Sequence, residues 1–438
     1  MLVRAIVLLG LILVARTALA DTTPRPIVGF RVRGASKLTE VTLSWLAHVD
    51  QGELISDDKI GELEAALMSS ELFESAVVTL EPTEGGVLVV ATLKDKMSWI
   101  AAPTLFILPS HYSVGAGYAE SNLGGENKKM LLYAQYGNAT SMILGTFLNP
   151  SVRGTKWETR FDLYLLHQLT SEYANLTNAP TSFAVERVST ETFLDAGALV
   201  GYRFAWWLVG EFRLRGAYVY FRDSNAGDDA KTPVAAPQED GWDISAQAIM
   251  TLDHRSHRYG VTWGPYAQVQ LESAVPGLDS FGYQSFKMRA YYSWRLFGEH
   301  ELEFRTRFQV GRRLPFHEDM TLGGASDLRG YSVDQFRGSL ATMLRAEYSV
   351  PIYKYKLFAF RAIGFYDVGY VRVGSHDQPD KNYLPDQPVG TSWLRSDVGA
   401  GIRLYVSTIV LPLLGLDVAR GIEGKSTEIY FELGLTDF

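Results

Sequence analysis

The stretch Glu301-Leu302-Glu303-Phe304-Arg305-Thr306-Arg307-Phe308-Gln309-Val310-Gly311 sorts its side chains into two sets. Leu302, Phe304, Phe308 and Val310 fall on one side of an extended chain. Glu301, Glu303, Arg305, Arg307 and Gln309 fall on the other, because strand side chains alternate with period two. One face is apolar; the opposite face carries both charge signs. The division recurs in Trp157 to Leu165, where Trp157, Thr159, Phe161, Leu163 and Leu165 oppose Glu158, Arg160 and Asp162. In Leu208 to Tyr220, Leu208, Phe212, Leu214, Tyr218 and Tyr220 oppose Glu211, Arg213 and Arg215. In Leu394 to Val406, Leu394, Val398, Ala400, Ile402, Leu404 and Val406 oppose Arg395, Asp397 and Arg403. A soluble sandwich buries its apolar face and turns polar residues to water. Here the polar face is dense with opposed charges and the segments are long and many. A barrel with lipid outside and a watery lumen inside uses that alternation directly. It also closes every sheet edge, as lipid requires.

Composition agrees with strands whose two faces differ. The 438 residues are 47% hydrophobic, with 23 Tyr, 22 Phe and 9 Trp. Yet no window of about 18 uninterrupted apolar residues follows Ala20, so spanning helices are not expected. There is no Cys, which separates the chain from disulfide-stapled secreted domains. A net charge of -8 argues against nucleic acid as a partner. At the start, Arg4, the apolar run Ala5 to Val14 broken only by Gly10, and the small-residue box Ala18-Leu19-Ala20 read as a secretory signal over 1–20. The exported chain is expected to begin near Asp21.

Residues 21–96 read as a small domain. Ile27 to Gly34 alternates as a strand, and Leu38 to Val49 reads as a helix stopped near Gly52. Ser56 is the expected cap of a second helix, with Ile60, Leu63, Leu67 and Met68 at helical spacing. Phe73 to Leu80 and Val87 to Leu93 read as strands split by Glu84-Gly85-Gly86. This β-α-α-β-β order can bury a modest core. From 97 to 438 only alternating segments follow, about sixteen of them, an even number as in bacterial barrels. Thr170 to Ser189, Asp223 to Asp240 and Gly374 to Thr391 read as surface loops. The expected fold class is an all-β transmembrane barrel of antiparallel strands behind one small α/β domain.

The long loop 313–338 contains Leu322-Gly-Gly-Ala-Ser-Asp-Leu-Arg-Gly-Tyr331. An Arg at a loop tip, followed by Gly330 and Tyr331, is poor turn chemistry and poor strand chemistry. It fits a loop folded back into a polar cavity, where the guanidinium fork of Arg329 meets carboxylates. Gly323, Gly324 and Gly330 permit a tight path. On the next segment Arg345 and Glu347 share one parity, and on the following one Arg361 and Asp367 do. Glu347 and Asp367 are therefore aimed into the lumen from adjacent strands, where neighbours lie about 5 Å apart. Two carboxylates at that spacing repel unless a cation lies between them; Arg329 is the candidate.

The loop, together with Phe365-Tyr-Asp-Val-Gly369, resembles the BamA/TamA-like bacterial surface antigen superfamily. That family carries V/L-R-G-F/Y on its inward loop and F-x-D-x-G on its barrel wall. Phe365, Asp367 and Gly369 match residue by residue; Glu347 fits another acidic position less specifically. Gly117-Tyr-Ala-Glu-Ser-Asn-Leu123, Asn149-Pro150 before a Gly-Thr turn, and Leu416-Asp-Val418 also look family-like. The small domain resembles a POTRA domain, the family's periplasmic module. The resemblance implies an outer-membrane protein with its N-terminal domain in the periplasm, in which Arg329 locks the loop onto Asp367 and Glu347. It implies the lipid bilayer and unfolded outer-membrane or secreted polypeptides as partners, with periplasmic chaperones or accessory lipoproteins beside them. It implies no cofactor, no metal and no catalytic residue.

Three residues bear on where the sheet closes. Pro103, in the first segment, lacks a donor and weakens a ladder. Gly434 and Phe438 belong to the last segment, and a terminal aromatic such as Phe438 fits the assembly signal common to bacterial barrels. Alternation puts Ile429, Phe431, Leu433 and Leu435 on one face and Phe438 on the other, so a bulge near Thr436-Asp437 or a frayed end is expected. This closure is the expected weak seam, where an incoming strand pairs by strand addition. Val87 to Leu93 is expected to offer a similar edge. The function expected is insertion of outer-membrane proteins. A polypeptide-secreting pore of the two-partner type is the alternative, and a barrel enzyme or passive porin the next. Asp253-His-Arg-Ser-His257 has two His three apart, a spacing compatible with a metal, but turn His are more often solvated. No nucleophile elbow, phosphate loop or zinc helix motif occurs.

Overall fold

A computed structural model describes residues 23–108, 111–173, 184–227, 232–258, 261–356, 358–385, 387–406 and 412–433. The expected signal segment, Gly434 and Phe438 lie outside these residues. The chain divides into two compact units, one ending at Asp95 and the other beginning at Lys96.

The first unit runs β1 (Arg25–Ala35), α1 (Glu40–Ala47), β2 (Leu54–Ile55), α2 (Ile60–Ser69), β3 (Phe73–Thr83) and β4 (Gly86–Asp95). α1 starts at Glu40 because Thr39 takes the cap, its hydroxyl accepting the Thr42 N–H at 3.2 Å. Leu43, Leu46, Leu63 and Leu67 from the helices meet Phe73, Val87 and Val89 from the sheet in one buried core. The sheet order is β2-β1-β4-β3, with β1 and β4 parallel. Val87 to Leu93 therefore lies in the sheet's interior and offers no edge, which corrects the sequence-based expectation. The long free edge belongs to β3. One of its rungs is already filled: the Val78 N–H donates to the Glu64 carboxylate of α2 at 2.8 Å.

The second unit is a closed antiparallel barrel. Its strands are β5 (Trp99–Leu108), β6 (His111–Leu123), β7 (Lys128–Gly137), β8 (Thr140–Asn149), β9 (Trp157–Tyr173), β10 (Val185–Ala205), β11 (Leu208–Ala226) and β12 (Gly241–Asp253). After a short β13 (Ser256–Arg258) come β14 (Val261–Ala274), β15 (Gln284–Leu296) and β16 (His300–Arg312). The small hairpin β17 (Met320–Leu322) and β18 (Phe336–Gly338) interrupts the wall order. Then β19 (Leu340–Tyr355), β20 (Phe358–Arg372), β21 (Ser392–Val406), β22 (Pro412–Gly421) and β23 (Thr427–Leu433) return to β5. Leaving out β13, β17 and β18, sixteen strands make the wall. Much of Thr170 to Ser189 is strand rather than loop, because β9 and β10 pair out to Tyr173↔Val185. Likewise β11 runs on to Ala226 before the next loop begins.

Side-chain parity sorts the wall as the alternation predicts. On β9, Phe161, Leu163 and Leu165 face outward while Glu158 is buried inside. Aromatic pairs gird the short-turn end: Trp157 with Tyr202 at 5.0 Å, Trp206 with His254 at 4.6 Å, Tyr292 with Trp294 at 4.4 Å. Tyr218 and Trp242 pair at 5.1 Å toward the long-loop end. Two aromatic belts around an apolar band mark a lipid-facing wall. Leu163→Arg is thus expected to destabilise the barrel by about 2–4 kcal/mol, as charge on the lipid face does near mid-height. Urea unfolding of the protein in phospholipid vesicles measures this; an unchanged midpoint would place Leu163 off the lipid face.

Candidate functional site

The register of β19, β20, β21 and β22 stacks charged side chains on the lumen wall. Asp367 of β20 lies opposite Arg345 of β19 on one side and Asp397 of β21 on the other. Glu347 pairs with Phe365 rather than with Asp367. The expectation of two directly facing carboxylates is thus corrected: Arg345 already stands beside Asp367, its Nε donating to Oδ1 at 2.9 Å. Asp417 of β22 is held by Arg403 through Nη1 at 2.6 Å and Nη2 at 2.7 Å.

Loop residues 313–338 descend into this wall. The Arg329 guanidinium donates from Nε to Asp367 Oδ2 at 3.0 Å, and from Nη1 to Glu347 Oε2 at 3.1 Å and Asp417 Oδ2 at 3.3 Å. Its Cζ lies over the Phe365 ring, 3.2 Å from the centroid. Arg329 is 1% exposed and Asp367 0%. A buried charge of this kind is tolerable only when paired and hydrogen-bonded. The Gly330 N–H donates to Asp397 at 3.0 Å, and a Cβ on Gly330 would come within 2.3 Å of the Gly421 nitrogen. The Tyr331 hydroxyl donates to Glu423 at 2.7 Å, while Tyr430 donates to the Tyr331 carbonyl at 3.1 Å. Burial pushes the Glu423 carboxyl up, but hydrogen bonds from Tyr331 and Ser396 outweigh it and hold that carboxyl below its ordinary value.

The glycines clear the way. A side chain at Gly369 would meet Leu322 at 2.5 Å, and one at Gly399 would meet the Phe365 ring within 2.2 Å. Gly323, at φ 126°, would put a Cβ 2.1 Å from the Ser332 carbonyl oxygen; Gly324 is also left-handed, at φ 96°. Around these turns Leu314, Met320, Leu322, Leu328, Tyr331 and Phe336 of the loop pack on wall residues such as Met343, Val371 and Trp393.

A second charged group was not foreseen from sequence. Glu318 of the loop meets Arg215 of β11 and Lys287 of β15, each at 2.9 Å. His317 Nε2 lies 2.9 Å from Asp243 of β12. Tyr283 hydrogen-bonds to Asp243 at 3.1 Å and to Glu272 at 3.0 Å. Asp243, His317 and Glu318 present ligand atoms within 4.8 Å of one another. An ion seated there would have to displace Arg215 and Lys287, so the group reads as an ion-pair network and not as a metal site. A Pro-Phe-His-Glu run in a loop bears no spacing signal that would have found it. His254 packs on Trp206, and the side chain of His257 lies outside the described residues. Pro103 sits on β5 opposite Ala116, away from this network.

Comparisons with known proteins bear on the fold and the family. The Omp85 superfamily domain matches residues 122–436, and the chain belongs to that superfamily. The crystal structure of BamA from Haemophilus ducreyi lacking POTRA domains 1–3 is similar with a TM-score of 0.59 and 13% identity, over 94% of this chain and 84% of that one. CdiB from Escherichia coli is similar with a TM-score of 0.61 and 12% identity, over 93% of this chain and 76% of that one. CdiB from Acinetobacter baumannii gives 0.58 and 11%, over 94% and 74%. A search of curated proteins finds no match.

Arg329→Ala leaves Asp367, Glu347 and Asp417 short of a cation and is expected to cost about 3–5 kcal/mol at this buried network. Arg329→Lys restores little, because an ammonium cannot span these carboxylates or stack on Phe365 as a planar fork does. Thermal unfolding in detergent reads both; a lysine variant as stable as the parent would rule out a role for the fork.

Proposed function

We propose that the protein inserts client polypeptides into the outer membrane through the seam between β23 and β5. The observation that carries this reading is that the barrel closes by pairing its last wall strand with its first, side by side with no turn of the chain between them. Among the described residues that pairing includes Phe431↔Ile107 and Leu433↔Leu105. Pro103, also on β5, brings no donor to a ladder. A closure held by no connecting turn is the line along which the barrel parts most readily, and a parted seam exposes strand edges. An unfolded strand adds to such an edge through main-chain hydrogen bonds, which do not depend on its sequence. Neither cofactor nor covalent chemistry enters.

In this reading residues 1–20 direct export and the first unit is a POTRA-like module in the periplasm, with its β3 edge available to a passing segment once Glu64 is displaced. The Arg329 cluster with Tyr331, Phe365 and the loop glycines holds the barrel wall in register while the seam parts. Pro103, Gly434 and Phe438 belong to the seam and its assembly signal. Periplasmic chaperones or accessory lipoproteins deliver the clients. The alternative, a polypeptide-secreting pore, sends the client through the lumen, which the loop fills.

The chain lacks Cys, so a disulfide can be placed without background. Leu105→Cys with Leu433→Cys sits at a register pair, and directly opposed strand residues lie within disulfide reach. In vesicles reconstituted with the oxidised double variant, client insertion is expected to stop and to return on reduction. Full insertion by the locked barrel would refute lateral opening, and secretion by it would establish the pore.

A further inference from the structure

We infer that the inward loop carries a second lock, built on His317 and Glu318, which keeps the lumen closed independently of Arg329. The loop leaves the wall between β16 and β19 and reaches to both sides. Its 322–331 arm meets β19, β20, β21 and β22 through Arg329 and its neighbours. Its 316–319 arm meets β11, β12 and β15 on the other side of the exit.

The polarity of the two sites is opposite. At the first, a loop cation enters a set of wall carboxylates. At the second, a loop carboxylate enters between wall cations: Glu318 lies 2.9 Å from Arg215 and 2.9 Å from Lys287. Those cations are fixed in turn by Asp243 and Glu272 of the wall. His317 spans from Asp243 at 2.9 Å to Gln238 at 3.0 Å, with the rings of Phe193 and Phe281 beside it. The next residue is tied too, since Lys381 holds Asp319 at 2.5 Å. Glu318 is 8% exposed and Asp243 0%.

No side chain belongs to both sites. Breaking one leaves the other arm anchored, and a loop anchored on either arm still lies across the lumen. Loss of both removes the buried charges that seat each arm, and the loop then swings out to leave a polar channel that passes hydrated ions. The lumen lock is separate from the seam reading: conductance reports the lumen, whereas client insertion reports the seam.

The test is the potassium chloride conductance of the full-length protein in planar bilayers. The variants are Arg329→Gln, Glu318→Gln and the two combined. Each single variant is expected to conduct like the parent. The combined variant shifts a loop open about 1% of the time toward about 99%, roughly a hundredfold rise. Glu318→Asp in the Arg329→Gln background keeps a carboxylate between Arg215 and Lys287 and is expected to restore closure. Mobility of unheated protein on a gel shows that each barrel has folded. If the combined variant fails to fold, Lys287→Met with Arg329→Gln weakens the same contact from the wall side, and the same conductances decide. An Arg329→Gln protein that conducts as fully as the combined variant overturns the second lock. So does a folded combined variant as silent as the parent.

Discussion

One buried guanidinium organises the lumen. Arg329 has almost no contact with water, and its charge is matched only because strands distant in sequence deliver Asp367, Glu347 and Asp417 to the same place. Desolvating such a cluster costs several kcal/mol per ion, which good geometry and hydrogen bonds must offset. The stacking of Arg329 on Phe365 adds a cation–π contribution, strongest where water is excluded. The small residues follow from the same constraint. Gly369 is empty where a side chain would meet Leu322 and Leu328 of the loop, Gly399 where one would meet the Phe365 ring, and Gly330 admits the backbone to Asp397. Aromatic and aliphatic packing then fills the space above the charges, with Tyr331 and Phe336 against Trp393.

The rest of the barrel tolerates a charged interior by the same pairing rule. Arg213 lies near Asp162 and Asp195, and Arg187 holds Glu172. Each wall strand keeps its apolar face for lipid and its charges for the lumen, so the membrane sees a hydrocarbon surface. Neighbouring wall strands follow one another along the chain except at the closure, where β23 meets β5 without a connecting turn. Under the proposed lateral opening, that pair is where the wall yields, because parting it breaks no tie made by a turn.

How much of this was legible in the chain depends on which quantity fixed it. Alternation at Trp157 to Leu165 and Glu301 to Gly311 is local, and it showed which residues face lipid before any partner was known. Arg329 and Asp367 could be brought together because each carries a short motif. Register is not local. The placement of Arg345 against Asp367, and of Glu347 against Phe365, depends on the path of the chain between strands. Asp417 stood in a stretch recognised as family-like, yet nothing in Leu416-Asp-Val418 told of Arg403 and Arg329 around it. Glu318 was missed because a loop acid has no periodicity to betray its target. Sheet order misled for a related reason: β4 comes last in its unit but sits inside the sheet, since its parallel pairing with β1 joins the two ends of that segment.

The carboxylate of Glu64 on the Val78 amide has a consequence for self-association. An unprotected rung on a strand rim is a nucleus on which sibling molecules can stack into fibrous aggregates. By capping that rung from its own helix, the unit withdraws one donor on which a second copy could begin to pair.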